Sequence, residues 1–248
     1  MHRFYLPPNE CLGATLVLRG QEAHHALLVL RLQRGEQVVV LNGAGGEYTC
    51  NVEEQGRDEL RLSVTGKKTT PPPAFAMTLL QAIPKGKHFD DIIQKATELG
   101  VSRIVPLLSE RVSIRLDADA AAKKAEKWRH VAIEAIKQCG AAWMPKVEAP
   151  TDLKSFLACK EEFELPLIAS LQPGSRHARE YFREFEAAHG RKPKSVCVWI
   201  GPEGDFTPEE ITAIESSGAR PITLGPLVLR VETAAAYCLS ILNYELGG

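Results

Sequence analysis

The sequence predicts an α/β protein with a mostly parallel sheet, preceded by a small domain of short strands. From Ala74 onward, apolar runs of strand length alternate with helical patterns, which is typical of parallel βα units. The earlier part of the chain has short strands and a single helical stretch. Thr69–Pro73 separates the two regions, because its three consecutive prolines form an extended connector. We therefore predict two domains, residues 1–70 and 74–248.

The N-terminal domain reads as a small β-barrel with one helix. Val38–Leu41 and Glu47–Val52 flank Asn42-Gly43, a pair that supplies the positive φ angles of a hairpin turn. Glu59–Val64 alternates apolar and polar side chains, as a half-buried strand does. Gln21–Leu32 has apolar residues at helical spacing, so we place the helix there.

Apolar runs in the C-terminal domain predict five strands of its sheet. These runs are Met77–Ile83, Arg103–Leu108, Leu165–Ser170, Val196–Ile200 and Pro221–Leu224. Val196–Ile200 is apolar throughout, which is typical of a strand buried on both faces of a parallel sheet. Pro106 indicates that its strand lies at an edge or carries a bulge, because proline cannot donate to a strand ladder.

Four helices are predicted between and after these strands. The apolar residues of Phe89–Leu99 fall on one helical face, and Gly100 ends that helix. Ala118–Cys139 is a long alanine-rich helix. Thr207-Pro208-Glu209-Glu210 opens another, with threonine as N-cap, proline at the first position and glutamate at the third. The last helix begins near Arg230.

Composition sets limits on the class of protein. The 248 residues have a formal net charge of -1, so any nucleic-acid footprint has to be a local basic patch. No apolar run approaches the roughly 20 residues that span a bilayer, and the N-terminus lacks a signal-peptide core. We therefore expect a cytoplasmic protein. The six cysteines are scattered without a Cys-x-x-Cys pair, which predicts reduced thiols and no metal site.

Two predicted strands end in Gly-Pro turns, and a helix soon follows each. Val196–Ile200 runs into Gly201-Pro202-Glu203-Gly204, and Pro221–Leu224 runs into Gly225-Pro226. In open α/β sheets, ligands bind beyond the carboxyl ends of strands, where backbone N–H groups are free. A single Gly-Pro-Glu-Gly is most often an ordinary turn. The pair of turns carries more information than either one.

The two turns with their flanking residues, GPEGDFTPEE and LGPLVLRVETAAA, resemble the SPOUT-class RNA methyltransferases, specifically the RsmE type. The resemblance extends through QAIPKGKHFDDIIQKATELGVSRIVPLLSERV and GQEAHHALLVLRLQRGEQVVVLNGAGGEY, and so covers nearly the whole chain. It implies methylation of uridine N3 in small-subunit (16S) ribosomal RNA with S-adenosylmethionine. It further implies a PUA-like RNA-binding domain, a knotted methyltransferase domain and a homodimer.

The resemblance also implies which loops bind the cofactor. The residues concerned are Leu171, Gln172, Ile200, Gly201, Pro202, Gly204, Leu224, Gly225, Pro226 and Leu229. Their chemistry agrees with this role, because glycine lets a ligand approach the backbone closely. Leucines on either side of an adenine ring would provide the apolar walls of a small-molecule site.

Candidate catalytic residues lie in the same turns. Uridine N3 has to lose a proton, and the developing negative charge calls for a cation or a helix N-terminus nearby. Arg230 is the candidate for this stabilisation. Glu203 and Glu232 are candidate bases, although either could instead cap a helix terminus.

Two groups of basic residues are candidate RNA contacts. The N-terminal group is Arg19, His25, Arg31 and Arg34, and the group in the later loops is Lys85, Lys87 and Arg111. The first group fits phosphate pairing but could equally solvate one helix face. The second could line the RNA-facing side of the active site or be ordinary solvated loop charge.

The chain departs from the family pattern at a few positions. Asp205 stands where a second glycine is usual, Leu227 replaces a commonly basic residue, Val231 replaces a threonine, and Ala141 stands where arginine is common. The loss of two positive side chains leaves two alternatives open. One is a SPOUT methyltransferase acting on another RNA position, and the other is an RNA-binding ribosome assembly factor without catalysis.

Overall fold

The computed structural model describes residues 1–86, 88–112 and 116–247. The chain forms two compact units. One comprises Met1–Pro72 with Ile133–Met144, and the other comprises Pro73–Ala132 with Pro145–Gly248. The domain limits 1–70 and 74–248 stay a prediction.

The first unit is built on a five-stranded sheet. Its strands are β1 (His2–Tyr5), β2 (Thr15–Arg19), β3 (Gln37–Leu41), β4 (Gly46–Gln55) and β5 (Glu59–Thr69). Their order is β1-β3-β4-β5-β2, with β1 and β3 parallel and the other pairs antiparallel. The core of this unit contains fully buried residues of all five strands, namely Phe4, Leu16, Val38, Cys50 and Leu60.

The β3–β4 hairpin confirms the prediction made from Asn42-Gly43, but its loop is longer than that pair of residues. Four residues link the strands, and Asn42 Oδ1 accepts hydrogen bonds from the backbone N–H groups of Ala44 (2.9 Å) and Gly46 (2.7 Å). Two glycines of this loop have positive φ angles, Gly43 at 68° and Gly45 at 87°. β5 continues past the predicted Val64 to Thr69, so Thr69 belongs to the sheet and not to the connector.

The predicted helix of this unit is present in two parts. α1 (Gly20–His24) continues directly into a π-helical turn, His25–Val29. Ala23 and Ala26 pack into the core. Arg31, with φ of 53°, turns the chain away after the helix.

The second unit confirms the predicted α/β class with a parallel sheet. Its strands are β6 (Ala76–Ala82), β7 (Arg103–Leu108), β8 (Lys146–Val147), β9 (Thr151–Asp152), β10 (Leu165–Ala169), β11 (Ser195–Ile200) and β12 (Arg220–Ile222). They lie in the order β12-β10-β11-β6-β7-β8, with β9 also beside β7, and every pairing is parallel. The helices are α2 (His88–Glu98), α3 (Ala118–Cys139), α4 (Leu153–Ala158), α5 (Ala178–His189), α6 (Pro208–Ser216) and α7 (Val231–Gly247).

Helices pack against the sheet, and β11 lies in its interior. On one face, Leu80, Val105 and Trp199 pack with Phe156 of α4 and Ile214 of α6. α7 packs against β6 and β11 and also against α2. Val196–Ile200 is buried throughout between β10 and β6, as its apolar sequence predicts. The threading of a knot stays a prediction.

Two strand predictions are wrong in detail. β12 ends at Ile222 and not at Leu224, because Ile222 is its last residue paired with β10. The N–H of Thr223 donates to the carbonyl oxygen of Arg176 (3.0 Å), in an isolated bridge between Arg176 and Ile222. Pro106 marks neither an edge strand nor a bulge, since β7 keeps an unbroken register with β6. On its other side, β7 pairs with β8 at Arg103 and Ile104 and with β9 at Leu107 and Leu108, so Pro106 lies in the gap between them.

The helix signals are confirmed. At α6, Thr207 Oγ1 accepts the N–H of Glu210 (3.2 Å) and Glu210 Oε2 accepts the N–H of Thr207 (2.9 Å). Gly100 follows α2 with φ of 79°. α7 begins at Val231, one residue after Arg230. Within the parts of the chain that are described, no helix combines the length and apolar character needed to cross a bilayer.

Candidate active site

A cleft of about 280 Å³ opens where β10, β11 and β12 end. It lies at the carboxyl edge of the parallel sheet, as expected of ligand sites in such sheets. Its lining residues are Ala169, Ser170, Leu171, Ile200, Gly201, Pro202, Glu203, Gly204, Asp205, Leu224, Gly225, Leu227, Val228, Leu229, Val231 and Ala234. The volume is at the lower end of the range for small-molecule sites.

The turn after β11 depends on a glycine and on an aspartate. A Cβ atom at Gly201 would lie 2.8 Å from Asp205 Oδ1 and 3.1 Å from the backbone nitrogen of Phe206, so only glycine fits without a shift. Asp205 itself has φ of 60°, and its Oδ1 accepts the N–H of Phe206 (2.8 Å). Aspartate tolerates this left-handed conformation better than most residues. This explains how Asp205 occupies a position where glycine is usual.

The loop between β12 and α7 forms the other wall of the cleft. Gly225 has φ of 103°, a conformation suited to glycine. Leu227 and Val228 expose 72% and 80% of their surface, so this wall is apolar and open to a ligand. Among the described residues, the backbone N–H groups of Leu224, Val228 and Leu229 have no hydrogen-bond partner. They are free to bind one.

A second cleft, of about 350 Å³, adjoins the first. It is lined by His88, Glu203, Val228, Leu229, Arg230, Val231 and Glu232, four of which also line the first cleft. The three residues predicted to be catalytic, Arg230, Glu203 and Glu232, therefore lie around one space. Arg230 is exposed and Glu232 is half-buried. Neither side chain is hydrogen-bonded to any residue in the described part of the chain.

Two neighbouring loops hold the turn after β11 in place. Glu203 Oε1 accepts the backbone N–H of Lys85 (2.8 Å), in the loop after β6. The guanidinium of Arg111, after β7, donates to the carbonyl oxygen of Gly204. Lys85 and Arg111 are thus at the rim of the site, and the Lys85 side chain is exposed. Lys87, also predicted to contact RNA, lies outside the described residues.

Most of the residues predicted to bind cofactor line the first cleft. They are Leu171, Ile200, Gly201, Pro202, Gly204, Leu224, Gly225 and Leu229. Gln172 and Pro226 are in the same loops but do not line it. Sequence reasoning missed Ala169, Ala234 and His88. His88 lines the second cleft. In the sequence it directly follows the PKGK stretch, and a single histidine at that position did not indicate a catalytic or binding role.

The candidate RNA-binding residues of the first unit differ in whether their side chains already have a partner. Arg19 pairs with Glu59 at 3.5 Å, and the half-buried His25 ring meets the Phe4 ring edge-on with centroids 6.1 Å apart. Arg31 and Arg34 are exposed, and neither guanidinium is paired with a described residue. Arg31 and Arg34 are therefore the members of this group that are free to contact a phosphate.

These features define a class of protein: an α/β enzyme with a small-molecule cleft at the strand ends, in a chain that also has a strand-rich unit with free arginines. Residues 71–243 match the family described as RNA methyltransferase domain, and residues 18–65 match RNA methyltransferase PUA domain. The first match covers more than half of the chain. The chain belongs to the RsmE-type RNA methyltransferase family.

Similar proteins agree over nearly the full length. The chain is 31% identical over 245 residues to "Ribosomal RNA small subunit methyltransferase E" of Synechocystis, covering 98% of this chain and 77% of the relative. A methyltransferase from Legionella pneumophila with bound S-adenosylmethionine is 33% identical with a TM-score of 0.88, covering 98% of this chain and 96% of that one. The Neisseria gonorrhoeae ribosomal RNA small subunit methyltransferase E, bound to S-adenosylmethionine, is 28% identical with a TM-score of 0.84, covering 98% and 97%.

The cleft fits S-adenosylmethionine chemically. Leu171, Ile200, Leu224 and Leu229 line it with apolar walls of the kind against which an adenine ring packs. The free N–H groups of Leu224, Val228 and Leu229 can donate to its ring nitrogens. No cluster of metal-ligating side chains occurs among the described residues.

Proposed function

We propose that the protein transfers a methyl group from S-adenosylmethionine to N3 of a uridine in small-subunit (16S) ribosomal RNA. The observation that carries this proposal is the adjacency of the two clefts, in a chain of this family. The first fits the cofactor, and the second has Arg230 and two carboxylates around a space of about 350 Å³. The named relatives from Synechocystis and Neisseria gonorrhoeae support the small-subunit RNA as substrate.

The cofactor-binding residues act mainly by positioning. S-adenosylmethionine, when bound, supplies an electrophilic methyl group on a sulfonium sulfur. Gly201, Gly204 and Gly225 let the backbone approach the ligand closely, and Leu224 and Leu229 enclose its adenine ring. Holding two reactants in a fixed geometry accounts for much of the rate that such an enzyme has to provide.

Arg230 stabilises the charge that develops on the base. When N3 loses its proton, negative charge spreads to O2 and O4 of the uracil ring. An exposed guanidinium with no partner in the described part of the chain is free to donate to these oxygens. Glu203 already accepts the Lys85 N–H, which favours a positioning role for this carboxylate.

The thiols favour direct transfer over a covalent enzyme–base intermediate. Neither cleft is lined by a cysteine in the described part of the chain. Burial raises the pKa of Cys238, on α7, to about 12, and it also raises the pKa of Cys197, on β11, far above the ordinary range. Both thiols therefore stay protonated and are poor nucleophiles. Attack by N3 itself needs no thiol.

The first unit is proposed to bind RNA. Exposed Arg31 and Arg34 fit bidentate contact with phosphates, and the net charge of -1 means that such contact is local. Binding of this kind weakens as salt rises, because each neutralised phosphate releases counterions. Further RNA contacts are proposed at Arg19, His25, Lys85, Lys87 and Arg111. The proposed place of action is the cytoplasm.

We also propose a homodimer that pairs through α7. Tyr237 and Tyr244 expose 46% and 71% of their surface on this helix. They line a groove with residues of α5, including Arg179, which pairs with Glu245 at 3.0 Å. Exposed tyrosines on an otherwise apolar helix favour an interface, because tyrosine is enriched where proteins associate.

The test of the proposed activity is nucleoside analysis. Purified protein is incubated with isotope-labelled S-adenosylmethionine and either 16S ribosomal RNA or small subunits from a strain lacking the protein. The expected product is N3-methyluridine at one position. Label on a ribose or on another base would replace the proposed reaction by a different methylation. Cofactor binding without transfer to either substrate would favour a non-catalytic assembly factor.

A further inference from the structure

His88 lies beside the candidate uridine site and is not used by the proposed function. It is the first residue of α2 and lines the second cleft together with Arg230, Glu203 and Glu232. The ring lies next to the preceding loop, since a Cβ atom at Gly86 would be 3.8 Å from its Cδ2 and 4.0 Å from its Nε2. The imidazole is exposed and has no hydrogen-bond partner among the described residues.

The two carboxylates of this cleft are poorer candidates for accepting the N3 proton. Glu203 is already engaged by the Lys85 N–H at 2.8 Å. Glu232 is half-buried in the first turn of α7, whereas the His88 ring is exposed and can exchange a proton with solvent. A general base is most effective when its basicity matches neutral pH, and imidazole is the side chain that meets this condition.

Resting on the proposed function, we propose that His88 is the general base that removes the N3 proton of the substrate uridine. The imide proton moves from N3 to the unprotonated nitrogen of the imidazole. The electron pair of the N–H bond forms the new N3–carbon bond, while the carbon–sulfur bond of the donor breaks and its electrons remain on sulfur. Because the His88 ring is exposed, the imidazolium then returns its proton to solvent.

Several charged side chains surround His88 in the second cleft. Arg230 faces the cleft from the position before α7 and stabilises the uracil anion, and Glu232 lines the same cleft. Glu203 faces it from the turn after β11. On its own loop and helix, Lys85 precedes His88, and Asp90 and Asp91 follow it in the first turn, with Asp90 paired to Lys127. Lys87 lies outside the described residues.

The experiment compares His88→Gln with a matched control, His130→Gln. His130 is an exposed histidine of α3 that lines neither cleft. Single-turnover methylation is measured from about pH 4.5 to 8.5, which is about two pH units on either side of the ordinary imidazole pKa. Affinity for S-adenosylmethionine is measured by calorimetry and affinity for 16S RNA by filter binding. A second variant, His88→Ala, is assayed with and without added imidazole.

We expect His88→Gln to lower the rate at neutral pH by about 10²-fold, with both affinities within threefold of wild type (roughly 0.7 kcal/mol by the usual conversion). The wild-type rate should fall toward acid pH, where imidazole is protonated, and this acid limb should be absent from the variant. Added imidazole should restore part of the rate of His88→Ala. RNA transcribed with 5-fluorouridine, whose N3–H is more acidic, should reduce the difference between wild type and variant.

Several results would overturn the assignment. One is a His88→Gln rate close to wild type across the pH range. Another is a loss of RNA affinity as large as the loss of rate, which would make His88 a contact residue only. An equal deficit on uridine and 5-fluorouridine substrates would also contradict proton removal. If the wild-type protein yields a methylated nucleoside other than N3-methyluridine, the proposed function itself fails. This failure is recognised from the product of the wild-type protein, without reference to any His88 variant.

Discussion

The hydrogen bond of Glu203 allows a positioning role to be distinguished from a role as general base. Its Oε1 accepts the backbone N–H of Lys85 at 2.8 Å, which ties the turn after β11 to the loop after β6. Glu203→Gln keeps an acceptor oxygen for this bond but removes the basic carboxylate. We expect Glu203→Gln to retain the single-turnover rate within about threefold, and Glu203→Ala to lower it by about tenfold through loss of one hydrogen bond to a charged group. A loss of about 10²-fold in Glu203→Gln would instead identify it as the base.

Arg230 should act on the rate and not on cofactor binding. Its guanidinium has no partner in the described part of the chain, so its removal breaks no structural contact there. Arg230→Ala should slow single-turnover methylation by about 10²-fold to 10³-fold and leave the calorimetric affinity for S-adenosylmethionine nearly unchanged. Arg230→Lys should recover little, because an ammonium lacks the planar fork. Joint loss of cofactor affinity and thermal stability would show a structural role.

Lys137 is a buried charge that stabilises the first unit. Its Nζ lies 2.8 Å from a carboxylate oxygen of Glu22 and 2.8 Å from one of Glu134, and its side chain is 7% exposed. Burial acts to lower the pKa of Lys137, but the hydrogen bonds and charges of Glu134 and Glu22 outweigh it and raise that pKa. A raised pKa in the folded state means that this stabilisation is complete below the ordinary lysine pKa. It is lost as the pH rises through the folded-state value.

Lys137→Met should lower the free energy of unfolding by about 3 kcal/mol at pH 7, because it leaves the mostly buried Glu22 carboxylate without its cationic partner. The matched control is Glu134→Gln, which should cost less than about 1 kcal/mol, since that side chain is 67% exposed. Urea denaturation of both variants provides the measurement. Equal costs would mean that Glu22 finds another partner when Lys137 is absent.

At the scale of an element, the turn between β11 and α6 depends on one of its two glycines. A Cβ at Gly201 would meet Asp205 Oδ1 at 2.8 Å, whereas a Cβ at Gly204 would come no closer than 3.5 Å to Arg111 Cδ. We expect Gly201→Ala to weaken S-adenosylmethionine binding by about tenfold, since a displaced wall removes roughly 1.4 kcal/mol of contact. Gly204→Ala should bind within about twofold of wild type, which is a few tenths of a kcal/mol. Calorimetric titration compares the two, and similar affinities would show that the turn adapts to a methyl group.

The capping box of α6 and the end of β12 show two kinds of element boundary. Thr207 and Glu210 are three residues apart and satisfy each other's backbone N–H groups, so this boundary is encoded locally. β12 ends after its last pair with β10, at Ile222. That partner strand is distant in sequence and gives no local signal. The start of α6 was predicted correctly, whereas the ends of β12 and β5 were wrong by two and by five residues.

At the scale of the whole molecule, the proposed dimer can be tested through α7. Tyr244 is 71% exposed on this helix, and an aspartate there would place a charge in the interface. Sedimentation at micromolar concentration should give twice the chain mass of 27.2 kDa for wild type and the single-chain mass for Tyr244→Asp. The matched control is Leu12→Asp, at a residue that is 85% exposed in the first unit, which should leave the dimer intact. A monomeric wild type would contradict the proposal.

The sequence by itself determined the class of fold, the burial of β11 and the helix caps, and the family resemblance added the loops that form the first cleft. Each depends on residue type and spacing within one segment, as in the unbroken apolar run of Val196–Ile200. Only the tertiary structure decided that Glu203 meets Lys85, 118 residues away, and that His88 lies beside Arg230. The physical reason is that folding brings together the carboxyl ends of parallel strands that are far apart in the chain. The resulting contacts leave no periodicity or motif within any single segment.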